Sequence, residues 1–344
     1  IAVSGDYAYV ASGLGGVRVI DISDPLDPIE TGSYSDEYSE YSRATCIDVS
    51  GGFAYVISSA IISSSMLIID ISDPHNPYYA GNYPDDEHGR DVVVSGDYAY
   101  IASSSYGKLK IVNISDPGNP YEKGSCDIGE ETSGLVLSGN YAYMAHPYAG
   151  VSVIDISDLS NPALSGFCEM PHYTSRIELS GNFAYVGTRE KGLRIVDVSD
   201  PSSPYEAGSL ETEDNRVCDV EISNGIAYLA DCGLDSGLRI VDVSSPSNPS
   251  QSGFHDTAYD CISIAVSDFY AYLGDWGSGL RIIDISDRSS PCEEGYFSDF
   301  PYIVTGVSVK GDYAYLSDLL KGDLRVIDIM DRSNPLEVGR HDSN

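Results

Sequence analysis

The chain has 344 residues, and its 53 acidic side chains against 19 basic ones give a formal charge of −34. A field of that sign repels nucleic acid and anionic lipid, so neither is expected as a partner, whereas cations, cationic surfaces and neutral ligands stay open. No apolar run approaches the roughly 18 residues of a membrane-crossing helix, so no direct span is expected within this segment.

The chain starts at Ile1, already in a strand-like run, which reads as an excerpt or processed piece of a longer product. From there a single pattern recurs every 42 to 46 residues. Its copies cover about 1–37, 38–86, 87–129, 130–170, 171–212, 213–256, 257–299 and 300–344. Each carries an Ala-Tyr pair, from Ala8-Tyr9 to Ala314-Tyr315. Next come Asp21, Asp70, Asn113, Asp155, Asp197, Asp242, Asp284 and Asp328, each at the end of an apolar run. A turn proline follows, from Pro28 to Pro335, and then a closing glycine, from Gly32 to Gly339. A repeat without linkers predicts one domain spanning 1–344.

The sixth copy shows the predicted elements in order. Residues 217–222 alternate as a first strand, Ser223-Asn224-Gly225 forms a hairpin turn, and 226–231 return as a second. Residues 238–243 make a third strand, apolar on both faces apart from Arg239 and Asp242, and 250–254 a short fourth. Four antiparallel strands in about 40 to 50 residues match a propeller blade, whereas a β-helix coil needs only about 20 to 30. The predicted fold is therefore all-β, an eight-bladed β-propeller.

Each repeated marker has an architectural reason. The small Ala lets sheets approach while Tyr fills the widening gap between them. The Asp accepts hydrogen bonds from amides of the following turn, a role that Asn113 can keep. Proline fixes the corner, and the closing glycine admits a bulge or sharp bend.

Function is expected where the copies differ. The loops joining second to third strands, and one copy to the next, vary in length and chemistry, while the opposite loops are uniform. The variable loops carry Asp36, Glu37, Tyr38, Asp86, Glu87, Asp256, Asp260, Asp299 and Phe300. They also carry the residues expected to face a ligand or partner: Trp276, His88, His146, His172, Tyr173, His255 and Tyr259. At the end of the second strand, copies six to eight place Asp231, Asp275 and Asp318, where earlier copies have Ser12, Ser58, Ser103, His146 and Thr188. Carboxylates converging with backbone carbonyls suit Ca2+, so this trio is the expected metal site, although no EF-hand string accompanies it. Trp276, the only tryptophan, suits sugar stacking or a protein contact.

Seven cysteines include no C-x-x-C pair. Cys218 and Cys232 fall opposite each other at the open end of the first two strands of copy six, so a disulfide between them is expected, with unpaired thiols as the alternative. No nucleophile elbow, HExxH, phosphate loop or cofactor fingerprint occurs, so no catalytic residue and no organic cofactor is expected.

The strings GVRVIDISDPLDP at 16–28, GLRIVDVSDPSSP at 192–204 and GLRIIDISDRSSP at 279–291, each following a copy of GDYAYVA, resemble the LVIVD repeat. Leu159, Arg288 and Arg332 depart from it by replacing the first turn proline. The resembled family comprises bacterial and archaeal proteins, similar in pattern to YVTN-type surface-layer propellers. The resemblance implies a propeller fold and a cell-envelope or extracellular setting, and no activity. The leading expectation is a non-enzymatic surface or secreted propeller that binds a protein or glycan through its variable acidic, aromatic face. The alternative is a structural subunit packing on copies of itself in a surface layer, sheath or filament. A metal-assisted hydrolase or lyase comes last.

Overall fold

In a computed structural model, all strands group into eight four-stranded antiparallel sheets, and the chain is an eight-bladed β-propeller. The structure describes residues 2–12, 16–23, 29–35, 43–59, 64–85, 88–104, 107–212, 215–233, 236–257, 259–298, 303–318 and 324–341. No helix occurs among them, and none long and apolar enough to cross a membrane. The chain divides into two compact units, one of residues 1–147, 151–166 and 343–344, the other of 148–150 and 167–342.

In the first unit, blades one to three pack face to face through interleaved cores. Tyr55, Ile57, Met66 and Ile68 of blade two meet Val92, Ala99 and Ile101 of blade three. In the second unit, Tyr228, Ala230, Leu238 and Ile240 of blade six meet Cys261, Ile264, Ala271 and Leu273 of blade seven. Every repeated alanine, Ala8 through Ala314, is fully buried and every repeated tyrosine nearly so, which accounts for their constancy.

All eight turn caps form. The carboxylates of Asp21, Asp70, Asp155, Asp197, Asp242, Asp284 and Asp328 accept the amide two residues on, at 2.8 to 2.9 Å, and Asn113 accepts that of Ser115 at 3.2 Å. The hydroxyl of the capped serine and then its amide hold the carboxyls of Asp155, Asp197 and Asp242 below the usual range. The closing glycines are places of close approach. A Cβ on Gly81 would lie 2.1 Å from the Pro117 carbonyl oxygen, and one on Gly253 would lie 2.0 Å from that of Arg288, each in the next blade's turn. The expected bulge stands beside them, because register shifts by one residue between Ile240 and Val241 opposite Gly253.

The strands of blade six run longer than the sequence pattern implies: Asn215–Ser223, Ile226–Gly233, Gly237–Asp242 and Ser250–Asp256. A second bulge explains this. Pairing skips from Val217 to Asp219, leaving Cys218 as the extra residue, and the ladder then continues to Asn215 opposite Gly233. The same skip occurs at Thr45, Ser175, Ile262 and Thr305 in their blades.

First strands present an unpaired edge, and carboxylates from the preceding blade satisfy it. Asp48 Oδ2 accepts the Val94 amide at 2.7 Å and Asp91 Oδ2 that of Leu135 at 3.1 Å. In the second unit Asp219 Oδ2 accepts from Ile264 at 3.2 Å, and Glu221 Oε2 from Val266 at 2.8 Å. Part of the acidic excess is therefore internal stitching.

Candidate functional site

The end of the second strand and the loops beyond it build the variable end of each blade. In blade six, Arg239 projects from the third strand, donates from Nε to Asp231 Oδ2 at 2.7 Å and reaches Gln251 through Nη1. Its guanidinium also lies 4.8 Å from the Phe254 ring centroid. Blade seven has a looser counterpart: Arg281 donates from Nε to Ser278 Oγ at 3.1 Å and from Nη1 to Glu293 at 2.9 Å, with Asp275 3.8 Å away. Burial raises the Asp275 carboxyl above its ordinary range, against the pull of Ser278 and Arg281.

Two members of the expected Ca2+ trio are thus engaged within their own blades. Asp231 and Asp275 are fully buried and turned onto arginines of their own blades. The side chain of Asp318 lies outside the described residues. Among those described, no group of three or more His, Cys, Asp or Glu side chains is placed to hold a metal ion.

What the structure does bring together lies between blades six and seven. A cleft of about 490 Å³ is lined by Gly233, Ser236, Asp256, Thr257, Tyr259, Asp260 and Trp276. Trp276 is 48% exposed and Tyr259 51% exposed, so two large rings stand in solvent around one concavity. Backbone bonds set their positions. The Trp276 amide donates to the Asp260 carbonyl at 2.8 Å, and the Gly233 amide donates to Asp260 Oδ1 at 2.9 Å, tying the loop of blade seven to the strand end of blade six. The Tyr259 ring lies against Gly277, where a Cβ would come within 3.2 Å of it. Thr257 is buried beneath, its amide donating to the Ser236 carbonyl at 2.9 Å and its hydroxyl to the Tyr259 carbonyl at 3.0 Å. Among the described residues no Lys, Arg or His lines the cleft.

The model of the LVIVD repeat matches residues 1–36, 43–85, 88–128, 129–169, 171–212, 215–257, 260–299 and 303–343. The chain belongs to the LVIVD repeat family. A search of curated proteins returns no match. Among solved structures the LVIVD propeller is similar to the computationally designed Ika8 protein, at 14% identity over 89% of both chains with a TM-score of 0.72. It is similar to Saccharomyces cerevisiae Sqt1 at 11% identity over 88% of this chain and 87% of that one, with a TM-score of 0.71. Citrobacter koseri apo AztD follows at 14% identity, 96% and 92% coverage and a TM-score of 0.64. At these identities the likeness concerns the fold alone.

The remaining predicted face residues of the LVIVD propeller disperse. His88 is exposed with φ 55°, and its carbonyl accepts the Ser104 amide at 2.9 Å. His172 and His255 are half-buried. Tyr173 is half-buried too, with the Arg189 guanidinium 4.3 Å over its ring and Tyr148 edge-on at 5.2 Å. His146 is a correction: it is fully buried and presents nothing to a partner. In blade four Ser152 stands where most other third strands carry arginine, and His146 replaces the carboxylate. Its Nδ1 lies 2.9 Å from the Glu131 carbonyl and its Nε2 2.7 Å from Ser152 Oγ. A neutral ring with the proton on Nδ1 meets both contacts, and burial accordingly lowers its pKa.

Cys218 and Cys232 are joined as a disulfide across 6.2 Å between Cα atoms, immediately before the cleft residue Gly233. Cys261 is a buried thiol pushed up to about 12, mainly by burial. The expected face residues Asp36, Glu37, Tyr38, Asp86, Glu87, Asp299 and Phe300 lie outside the described residues. Sequence reasoning passed over Ser236 and Thr257, which floor the cleft. A signal existed for one of them: Thr257 stands four positions past its closing glycine, as Thr212 does past Gly208.

Proposed function

We propose that this LVIVD propeller is a non-enzymatic, surface-exposed or secreted binding module that engages a protein or glycan through its variable loops. The observation that supports this reading is the cleft flanked by half-exposed Trp276 and Tyr259. Exposed rings of this size are costly to leave in water, and aromatic anchors beside a concavity carry most of the energy of known recognition surfaces. The neighbouring ionisable groups support binding over catalysis. Asp231 and Asp275 are held by arginines, and the Cys261 thiol is held protonated by burial. The test is binding of the recombinant chain to protein and glycan arrays. Trp276→Ala and Tyr259→Ala should each weaken a specific hit by about 2 kcal/mol, or 30-fold, with unchanged circular dichroism. Undiminished binding by both variants removes the reading.

A structural role in a self-packed layer or filament is favoured by a different observation. The fourth strand opens on an apolar residue more than half exposed in five blades: Ile29, Tyr78, Tyr121, Tyr205 and Leu336. Repeated apolar groups at equivalent outer positions suit side-by-side packing of copies. Sedimentation velocity distinguishes the readings, since ordered polymers that grow with concentration support packing and a monomer at all concentrations removes it.

A further inference from the structure

We propose that the cleft between blades six and seven recognises a cationic ammonium group, such as a quaternary or methylated amine, carried by the ligand. This rests on the binding reading above and names its chemistry.

The lining discriminates by charge. Asp256 and Asp260 are both exposed at the cleft, and among the described lining residues no cationic side chain joins them. Only one carboxylate oxygen, Asp260 Oδ1, accepts a hydrogen bond within the described residues, while the Asp256 carboxylate accepts none there. The contrast with the neighbouring acids is direct, because Asp231 and Asp275 in the same blades carry arginine partners. The two rings add a second attraction of the same sign. Trp and Tyr faces carry negative quadrupoles, and Trp is the strongest of the side chains in holding a cation. Ser236, only 6% exposed, lines the cleft with a hydroxyl that has no protein partner among the described residues. The surrounding charge of −34 focuses the same preference at longer range. An anionic ligand meets two carboxylates with nothing to offset them. A neutral polyol gains from the rings but not from the field. A trimethylammonium group gains from both, and loses little hydration on entering because its charge is spread over methyl groups.

Trp276 is the only tryptophan of the chain, so its fluorescence reports this cleft alone. The full chain is titrated with choline, with its uncharged isostere 3,3-dimethylbutan-1-ol, and with cellobiose, at constant ionic strength. Choline is expected to give a saturable change at least tenfold tighter than the isostere. Asp256→Asn and Asp260→Asn should each weaken it about fivefold, the loss of roughly one screened charge contact. The amide oxygen introduced by Asp260→Asn still accepts from the Gly233 amide, so that variant retains the loop tie. Equal affinities for choline and the isostere overturn the proposal, as does a fluorescence response unchanged by both variants. Saturation by cellobiose but not choline also overturns it while leaving the binding reading in place. Silence from all three titrants overturns the ammonium site alone, because the array experiment judges the binding reading separately.

Discussion

Arg239 donates from Nε to Asp231 Oδ2 at 2.7 Å, with the arginine side chain 9% exposed and the aspartate fully buried. A pair so withdrawn from water is a mutual requirement, since either charge left alone in that interior is strongly unfavourable. Replacing Asp231 by Ala should therefore destabilise the protein by about 3 to 5 kcal/mol. Urea unfolding measures this, and the loss should be the same in calcium and in chelator. A loss confined to calcium-containing buffer would return Asp231 to the role of metal ligand.

Glu221 supplies a pH dependence whose sign is fixed. Burial, followed by the charges of Glu178 and Asp219, raises its carboxyl from 4.5 to about 7, although the Val266 amide pulls the other way. A raised acid gives stability that is complete below its unfolded value of 4.5 and is lost as pH climbs through about 7. Glu221→Gln keeps an acceptor for Val266 and removes the charge. The variant should match the parent at pH 4 and exceed it at pH 8 by about 1 to 2 kcal/mol, a figure reduced for solvent screening. Urea titrations at the two pH values check this, and a constant offset between the proteins would contradict it.

Thiol chemistry tests the cleft's wall. Of seven cysteines, five are free and two are joined, so the denatured, unreduced chain should titrate five thiols. Seven would remove the Cys218–Cys232 bond. In the native protein Cys292, the exposed one, should react first, while Cys46, Cys168 and Cys261 lag because burial pushes them up to about 12, 11 and 12. Reduction of a bond closing a loop of this size should lower stability by about 3 kcal/mol.

Close blade approach makes a backbone prediction. Gly253→Ala sets a methyl 2.0 Å from the Arg288 carbonyl oxygen and 2.9 Å from Pro291 Cδ, so blades six and seven must separate locally. A loss of about 2 to 3 kcal/mol is expected by thermal or urea unfolding. Gly5→Ala is the comparison: it meets no atom within 4 Å and carries only the strain of its φ of 58°. Equal losses in the two variants would mean that contact with the next blade is not the reason for the repeated glycine.

The sequence alone determined the eight blades, because each repeated residue answers a local demand that recurs in every copy. Ala and Tyr set sheet spacing, Asp caps the turn two residues on, and the closing glycine clears the neighbouring carbonyl, so four words in fixed order specify a blade. What sequence could not decide was which acids are structural and which face solvent. Asp231 and Asp275 look in one dimension like a converging trio with Asp318, yet each is paired with an arginine two residues into the third strand, a partner visible only once the two strands are registered. His146 likewise turns inward, to Ser152 at the position where most other blades carry that arginine. The cleft is likewise a tertiary product. Gly233, Ser236 and Asp256 come from blade six, the last from the end of its fourth strand, and Tyr259, Asp260 and Trp276 from the loops of blade seven. Residues as far apart as Gly233 and Trp276 become neighbours there because adjacent blades pack face to face, and the loop residues brought together belong to the part of each copy that does not repeat.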